Sequence, residues 1–129
     1  MRINFAKYRT ARQSDRRERA GWIVLNGNGT YSFVTATIIS NTPCSARFDL
    51  TPPPGAVQWA HSHPFRRGEV ITACGFPSGS YYPGGGSPAD QATSDLLGGM
   101  HGYAIDPQGI YEFGGTQYTI QRNWIRCGY

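Results

Sequence analysis

The 129 residues, 39% of them hydrophobic, suffice for one domain with a modest core and are too few for a multidomain enzyme. No apolar stretch approaches the roughly 20 residues that cross a bilayer, no basic-then-apolar leader opens the chain, and no C-x-x-C pair occurs, which argues against a membrane partner, a signal peptide and a cysteine zinc knuckle. The net charge of +4 is concentrated in residues 1–20, whose seven basic and two acidic groups leave the remainder at −1, so a basic N-terminal arm on a near-neutral body is expected and a nucleic-acid partner is disfavoured.

Charged residues make up only 16% of the chain, while 17 glycines and 9 prolines favour short strands and turns over a helical bundle. Thr10 to Arg19 contains no Gly or Pro and is expected to be a short polar helix, with Ser14 or Asp15 as cap residues. Gly21 to Leu25 and Thr30 to Ile39 are rich in Val, Ile, Thr and aromatics and flank Asn26-Gly27-Asn28-Gly29, whose Asn-Gly pairs supply left-handed residues for a hairpin. Asn41 to Gly55 carries Pro43, Pro52, Pro53 and Pro54 and is expected to be a connecting loop. Strand character resumes from Ala56 to His63 and stops at Pro64.

Residues 65–86 hold six glycines and two prolines over 22 positions, long for an unstructured connection in a compact domain unless it has a function. Ser87 to Leu97 is expected to be a helix, with Ser87 at the N-cap, Pro88 at the first position and Asp90 at the third, stopped by Gly98-Gly99. Gly102 to Ile105 and Ile110 to Phe113 bracket the turn Asp106-Pro107-Gln108-Gly109, and Tyr118 to Ile125 adds a last strand. Three cysteines, Cys44, Cys74 and Cys127, leave at least one unpaired and show no disulfide framework, giving a mild preference for a reducing compartment.

His61-Ser62-His63 carries the chemistry. Side chains at i and i+2 of a strand share a face, so two imidazoles converge on one cation at a strand end. A zinc hydrolase needs about three protein ligands and one open position, and Asp90, in the first turn of the helix after the long loop, is the best third candidate. Ser87 lies three residues earlier on the same side, and Glu18 upstream is a candidate proton carrier. Cys74 is a weaker candidate, as a nucleophile or as a thiolate filling the open zinc position, and His101 has no ligand-spaced partner. The loop at 65–86 starts and ends beside these residues, so it borders the centre as lid or groove, with Phe65, Phe76, Tyr81 and Tyr82 available to an extended peptide and Arg66 and Arg67 to an acidic one.

Trp59-Ala60-His61-Ser62-His63-Pro64 followed by Ser87-Pro88-Ala89-Asp90 resembles the W-x-H-[ST]-H-P … S-x-x-D signature of JAB/MPN (JAMM) zinc metalloproteases. Glu18-Arg19-Ala20-Gly21 is similar to the family's upstream E-x-x-G, and Asp106-Pro107 to its late D-P turn, so the likeness spans about residues 10–113. Within the family it is most similar to bacterial domains found at the C-termini of polymorphic toxins. Two departures stand out: 22 residues separate H-x-H-P from S-x-x-D, where the family usually has roughly ten, and Gln58 replaces a common Gly.

The resemblance implies one α/β (α+β) MPN-like domain over residues 1–129, with a curved, mostly antiparallel mixed sheet flanked by helices, an arm and helix at 1–19 and an insertion loop at 65–86. It implies zinc (Zn2+) held by His61, His63 and Asp90, Glu18 as general base and acid, and Ser87 assisting the oxyanion. The activity implied is peptidase or isopeptidase action on a peptide or protein substrate, as the effector or processing domain of a bacterial toxin with an immunity or carrier partner, either cytoplasmic or delivered with a secreted toxin. A metal-dependent nuclease or phosphodiesterase and an inactive MPN-like binding scaffold stand as alternatives.

Overall fold

A computed structural model describes residues 12–114 and 119–123. They form one α+β domain with eight strands: β1 (Ala20–Leu25), β2 (Tyr31–Thr35), β3 (Ile38–Thr42), β4 (Ser45–Phe48), β5 (Ala56–Ser62), β6 (Gly102–Asp106), β7 (Gly109–Phe113) and β8 (Thr119–Asn123). The α-helix among these residues is α1 (Pro88–Leu96). Six strands make a sheet in the order β2-β1-β5-β6-β7-β8, antiparallel except for the parallel pair β5–β6. Parallel neighbours require a long crossover, and the segment from His63 to His101 supplies it, carrying first the Gly-rich loop and then α1.

Hairpin β1–β2 closes as expected, but Gly29 alone takes the left-handed conformation there, after a turn closed by Gly29 N–H donating to Asn26 O at 3.0 Å. Hairpin β6–β7 turns at Pro107-Gln108, where the buried Asp106 carboxylate accepts from the backbone N–H of Gln108 and of Gly109, each at 2.8 Å. The core lies where helix meets sheet: Trp22, Trp59, Ala104, Tyr111 and Phe113 are buried, and Trp59 Nε1–H donates to the buried Ser94 Oγ of α1 at 3.0 Å. Gly102 allows a close approach there, because a Cβ would collide with the rings of Trp59 and Phe113.

Three expectations are corrected. Over the described part of Thr10 to Arg19 there is only a one-turn 3-10 helix, Gln13–Asp15, followed by extended chain, so helices do not flank the sheet on both sides among the described residues. The segment has no apolar stripe to bury as a helix, and its long side chains bond to the 65–86 loop instead. Asn41 to Gly55 is not wholly loop: β3 and β4 form a separate two-stranded sheet, with Pro43 and Cys44 in its turn where no ladder donor is lost. Cys44 and Cys74 form a disulfide across 30 residues, which removes Cys74 as nucleophile or zinc ligand and goes against the expected reducing compartment. Residues 1–11 of the basic arm and Cys127 lie outside the described residues.

Candidate metal centre

The centre forms at the carboxyl end of β5, where the crossover leaves the sheet. His61 is 3% exposed, stacked on Trp59 with ring centroids 5.1 Å apart and edged by Phe113 at 5.9 Å, so its ring has little freedom to turn. His63, 12% exposed, follows two residues later on the same face, and the two Nε2 atoms are 2.8 Å apart. The i, i+2 reading of H-x-H therefore describes the folded chain.

Asp90 arrives from α1. Ser87 caps the helix: its Oγ accepts from Asp90 N–H at 3.3 Å, while Asp90 Oδ2 accepts from Ser87 N–H at 2.7 Å. This reciprocal box locks the carboxylate, whose Oδ1 lies 2.9 Å from His61 Nε2 and Oδ2 3.8 Å from His63 Nε2. Glu18 comes from the other side. Ala20 pairs with His61 in the β1–β5 register, and the ladder continues upstream as Ser62 N–H donates to Arg19 O at 2.8 Å and Arg19 N–H to Ser62 Oγ at 3.0 Å. Asn41 of β3 then clamps the Glu18 backbone, donating to its carbonyl at 2.8 Å and accepting its N–H at 3.3 Å. Glu18, His61 and His63 offer donor atoms that all lie within 4.8 Å of one another, close enough to bind a metal ion.

The groups tune one another. Burial pushes the Glu18 carboxyl up to about 7, with His61 opposing and Asp90 adding to the rise. Burial disfavours charge on His61, but the Asp90 carboxylate, with Glu18 behind it, outweighs that and raises its pKa. Burial, and then the charge on His61, push His63 down to about 4. Burial also works against charge on Asp90, yet His61 above all, then His63 and the Ser87 N–H, hold it at about 2. The cluster thus keeps one carboxylate ionised and a second near neutrality.

Beyond these expected residues, the loop contributes Tyr82, whose hydroxyl is 2.6 Å from His63 Nδ1 and 3.3 Å from Gly85 O. A relay in which His63 Nδ1–H donates to Tyr82 and Tyr82 to Gly85 leaves the His63 Nε2 lone pair facing the centre. Gly85 is itself held, its N–H donating to Asp106 Oδ2 at 3.4 Å. Burial, followed by the Asp106, Asp90 and Glu18 carboxylates, raises the Tyr82 pKa, so it stays a phenol. His61 Nδ1 is buried near the Tyr103 carbonyl without closing a hydrogen bond of full geometry. Sequence reasoning missed the roles of Tyr82 and Asn41; a tyrosine at the end of the loop was the only hint of the first, and nothing local marks the second. Glu69 is turned away to Arg16, and His101 pairs with Glu112 at 2.8 Å.

No protein-family model, curated protein or solved structure matches the chain.

Proposed function

We propose that the chain is a zinc-dependent peptidase or isopeptidase of the JAB/MPN kind, with an MPN-like arrangement of its sheet, helix and site. The observation that carries this reading is the convergence of the His61 and His63 Nε2 atoms, 2.8 Å apart, with the Asp90 carboxylate, whose Oδ1 lies 2.9 Å from His61 Nε2 and whose Oδ2 lies 3.8 Å from His63 Nε2. The donor set also suits zinc, with two imidazoles and one carboxylate, and Tyr82 behind His63 as an orienting partner. His61, His63 and Asp90 would hold the ion, and Glu18, within 4.8 Å of both histidines, stands beside them.

Zinc held there by His61, His63 and Asp90 would lower the pKa of a bound water and polarise a carbonyl. The Glu18 carboxylate, held beside both histidines, would take a proton from the attacking water and pass it to the leaving amine. Ser87 Oγ accepts from the helix N–H, and its hydroxyl hydrogen is the one offered to the developing oxyanion. Asp90 stays fixed by its capping box, and the Trp59 and Phe113 rings keep water from the back of His61. The Cys44–Cys74 disulfide favours the form of this reading in which the domain is delivered as a toxin effector, outside a reducing compartment.

The test is elemental analysis of the purified chain together with hydrolysis of internally quenched peptides, isopeptide-linked reporters, RNA and DNA. One zinc per chain and amide hydrolysis lost to chelator and restored by zinc are expected. Glu18→Gln should keep the zinc and lower turnover by about 100-fold or more. Hydrolysis of nucleic acid alone, or amide hydrolysis indifferent to chelator, would overturn the reading.

A further inference from the structure

Next to the metal centre the chain forms a pocket of about 420 Å³ lined by Arg16, Arg66, Arg67, Gly68, Glu69 and Gln108. Its position is tied to the site on two sides. Arg16 lies two residues before Glu18, and its Nη1 donates to the carbonyl of Pro64, the residue after His63, at 3.2 Å. Arg67 is near enough to Tyr82 and to Asp106 to act on both carboxyl and phenol by charge.

The pocket's charge is arranged. Glu69 faces Arg16, accepting from its Nη1 at 2.8 Å on each oxygen, and also takes the Arg66 backbone N–H at 3.0 Å and Gln13 Nε2–H at 3.0 Å. Its carboxylate is spent on holding the loop. Among the described residues no carboxylate lies within ion-pair distance of the Arg66 or Arg67 guanidinium. Arg67 is opposed only at longer range by the fully buried Asp106 carboxylate, so neither guanidinium is tied up in a direct ion pair at the pocket wall.

Arg67 is also held in place before any ligand arrives. Its guanidinium carbon sits 5.3 Å from the centre of the Tyr111 ring, and its backbone N–H donates to Gln108 Oε1 at 2.9 Å. Gly84 leaves the room for its side chain, because a Cβ there would strike it. A planar donor fork fixed in this way suits bidentate capture of a carboxylate at low entropic cost.

We propose that this pocket is a carboxylate subsite of the metal centre, selecting peptide substrates that carry an acidic side chain or a free C-terminal carboxylate close to the bond to be cut. This deepens the peptidase reading and rests on it. The carboxylate docks on Arg67 and Arg66, in the segment that directly follows His63 and Pro64.

The experiment measures binding of blocked pentapeptides, identical except for a central Glu, Gln or Lys, to the zinc-loaded Glu18→Gln chain by nuclear magnetic resonance titration. A fourth peptide, with central Gln and a free C-terminal carboxylate, separates the two carboxylate sources. The Glu peptide, the free-acid peptide or both should bind about tenfold more tightly than the blocked Gln peptide, and the Lys peptide least well. Arg67→Gln should abolish the preference and Arg66→Gln reduce it, whereas Arg47→Gln, which removes an equal charge from an exposed position on β4, should leave it intact. Equal binding of all peptides, a preference that survives in both pocket variants, or one lost equally in Arg47→Gln would overturn the subsite. Tighter capture of a short single-stranded RNA than of the Glu peptide by the same arginines would overturn it in favour of a phosphate site. If the preference holds while the zinc-loaded native chain cuts no amide, the peptidase reading fails and the carboxylate site stands. If amides are cut with no acidic preference, only the subsite fails.

Discussion

The metal centre and the 65–86 loop lie against each other but are held by different means. His61 is set by the β1–β5–β6 ladder and by aromatic stacking, and Asp90 by the reciprocal side-chain-to-backbone bonds of a helix cap, so local structure determines where both donors point. The loop has no core of its own. Within it, a single bridge joins Val70 to Tyr81, and its position depends on side-chain pins: Arg16 to Glu69, Gln13 to Val70 O and Thr72 N, Cys44 to Cys74, and Tyr82 to His63. His61 and Asp90 are thus held where geometry is stiff, whereas His63 is oriented by Tyr82 from a segment that can be loosened one pin at a time.

The sharpest way to break this contrast is at the stiff side. His63→Ala removes one of three converging donors and should weaken zinc binding by about three orders of magnitude or more, read by competition with a chelating dye, while the fold persists. Full zinc occupancy in that variant at matched purity would refute the ligand assignment. Next in size is the covalent pin. Cys74→Ser should cost roughly 2–4 kcal/mol in urea unfolding and lower hydrogen-exchange protection in residues 70–82 well before protection of β5 changes. Equal loss of protection in both regions would mean that loop and centre open as one unit.

A smaller effect is expected from the pin that joins the two regions. Tyr82→Phe removes the partner of His63 Nδ1 and should lower zinc affinity about tenfold without altering the melting temperature of the chelator-treated chain. An unchanged affinity would make the tyrosine a packing residue. The last effect is electrostatic. In chelator, Glu18 is protonated in both folded and unfolded chains below pH 4.5; between 4.5 and about 7 the unfolded state ionises and the folded state does not, so stability falls as pH rises through that window. Melting temperatures should show this decline by several degrees, and Glu18→Gln should flatten it. A native chain whose pH profile matches that of the variant would show that Glu18 is not buried as described.

Much of the site was legible because its signals are local. H-x-H at strand spacing, the S-P-A-D start of α1 and the turns at Asn26–Gly29 and Asp106–Gly109 each involve residues within four positions of one another, where period and capping leave few alternatives. The same local logic misled at Thr10 to Arg19, because absence of Gly and Pro permits a helix without rewarding it. What the tertiary structure alone decided are pairings across long separations: Cys44 with Cys74 at 30 residues, Arg16 with Glu69 at 53, Gln13 with Val70 at 57 and Glu18 with Asn41 at 23. Each depends on two segments being brought side by side by the tertiary fold, and no local pattern in either segment marks the other as its partner. The sequence by itself therefore determined the types and spacing of the candidate ligands. The crossing of the chain determined which loop tyrosine backs His63, which asparagine holds Glu18 and which arginines face the pocket beside them.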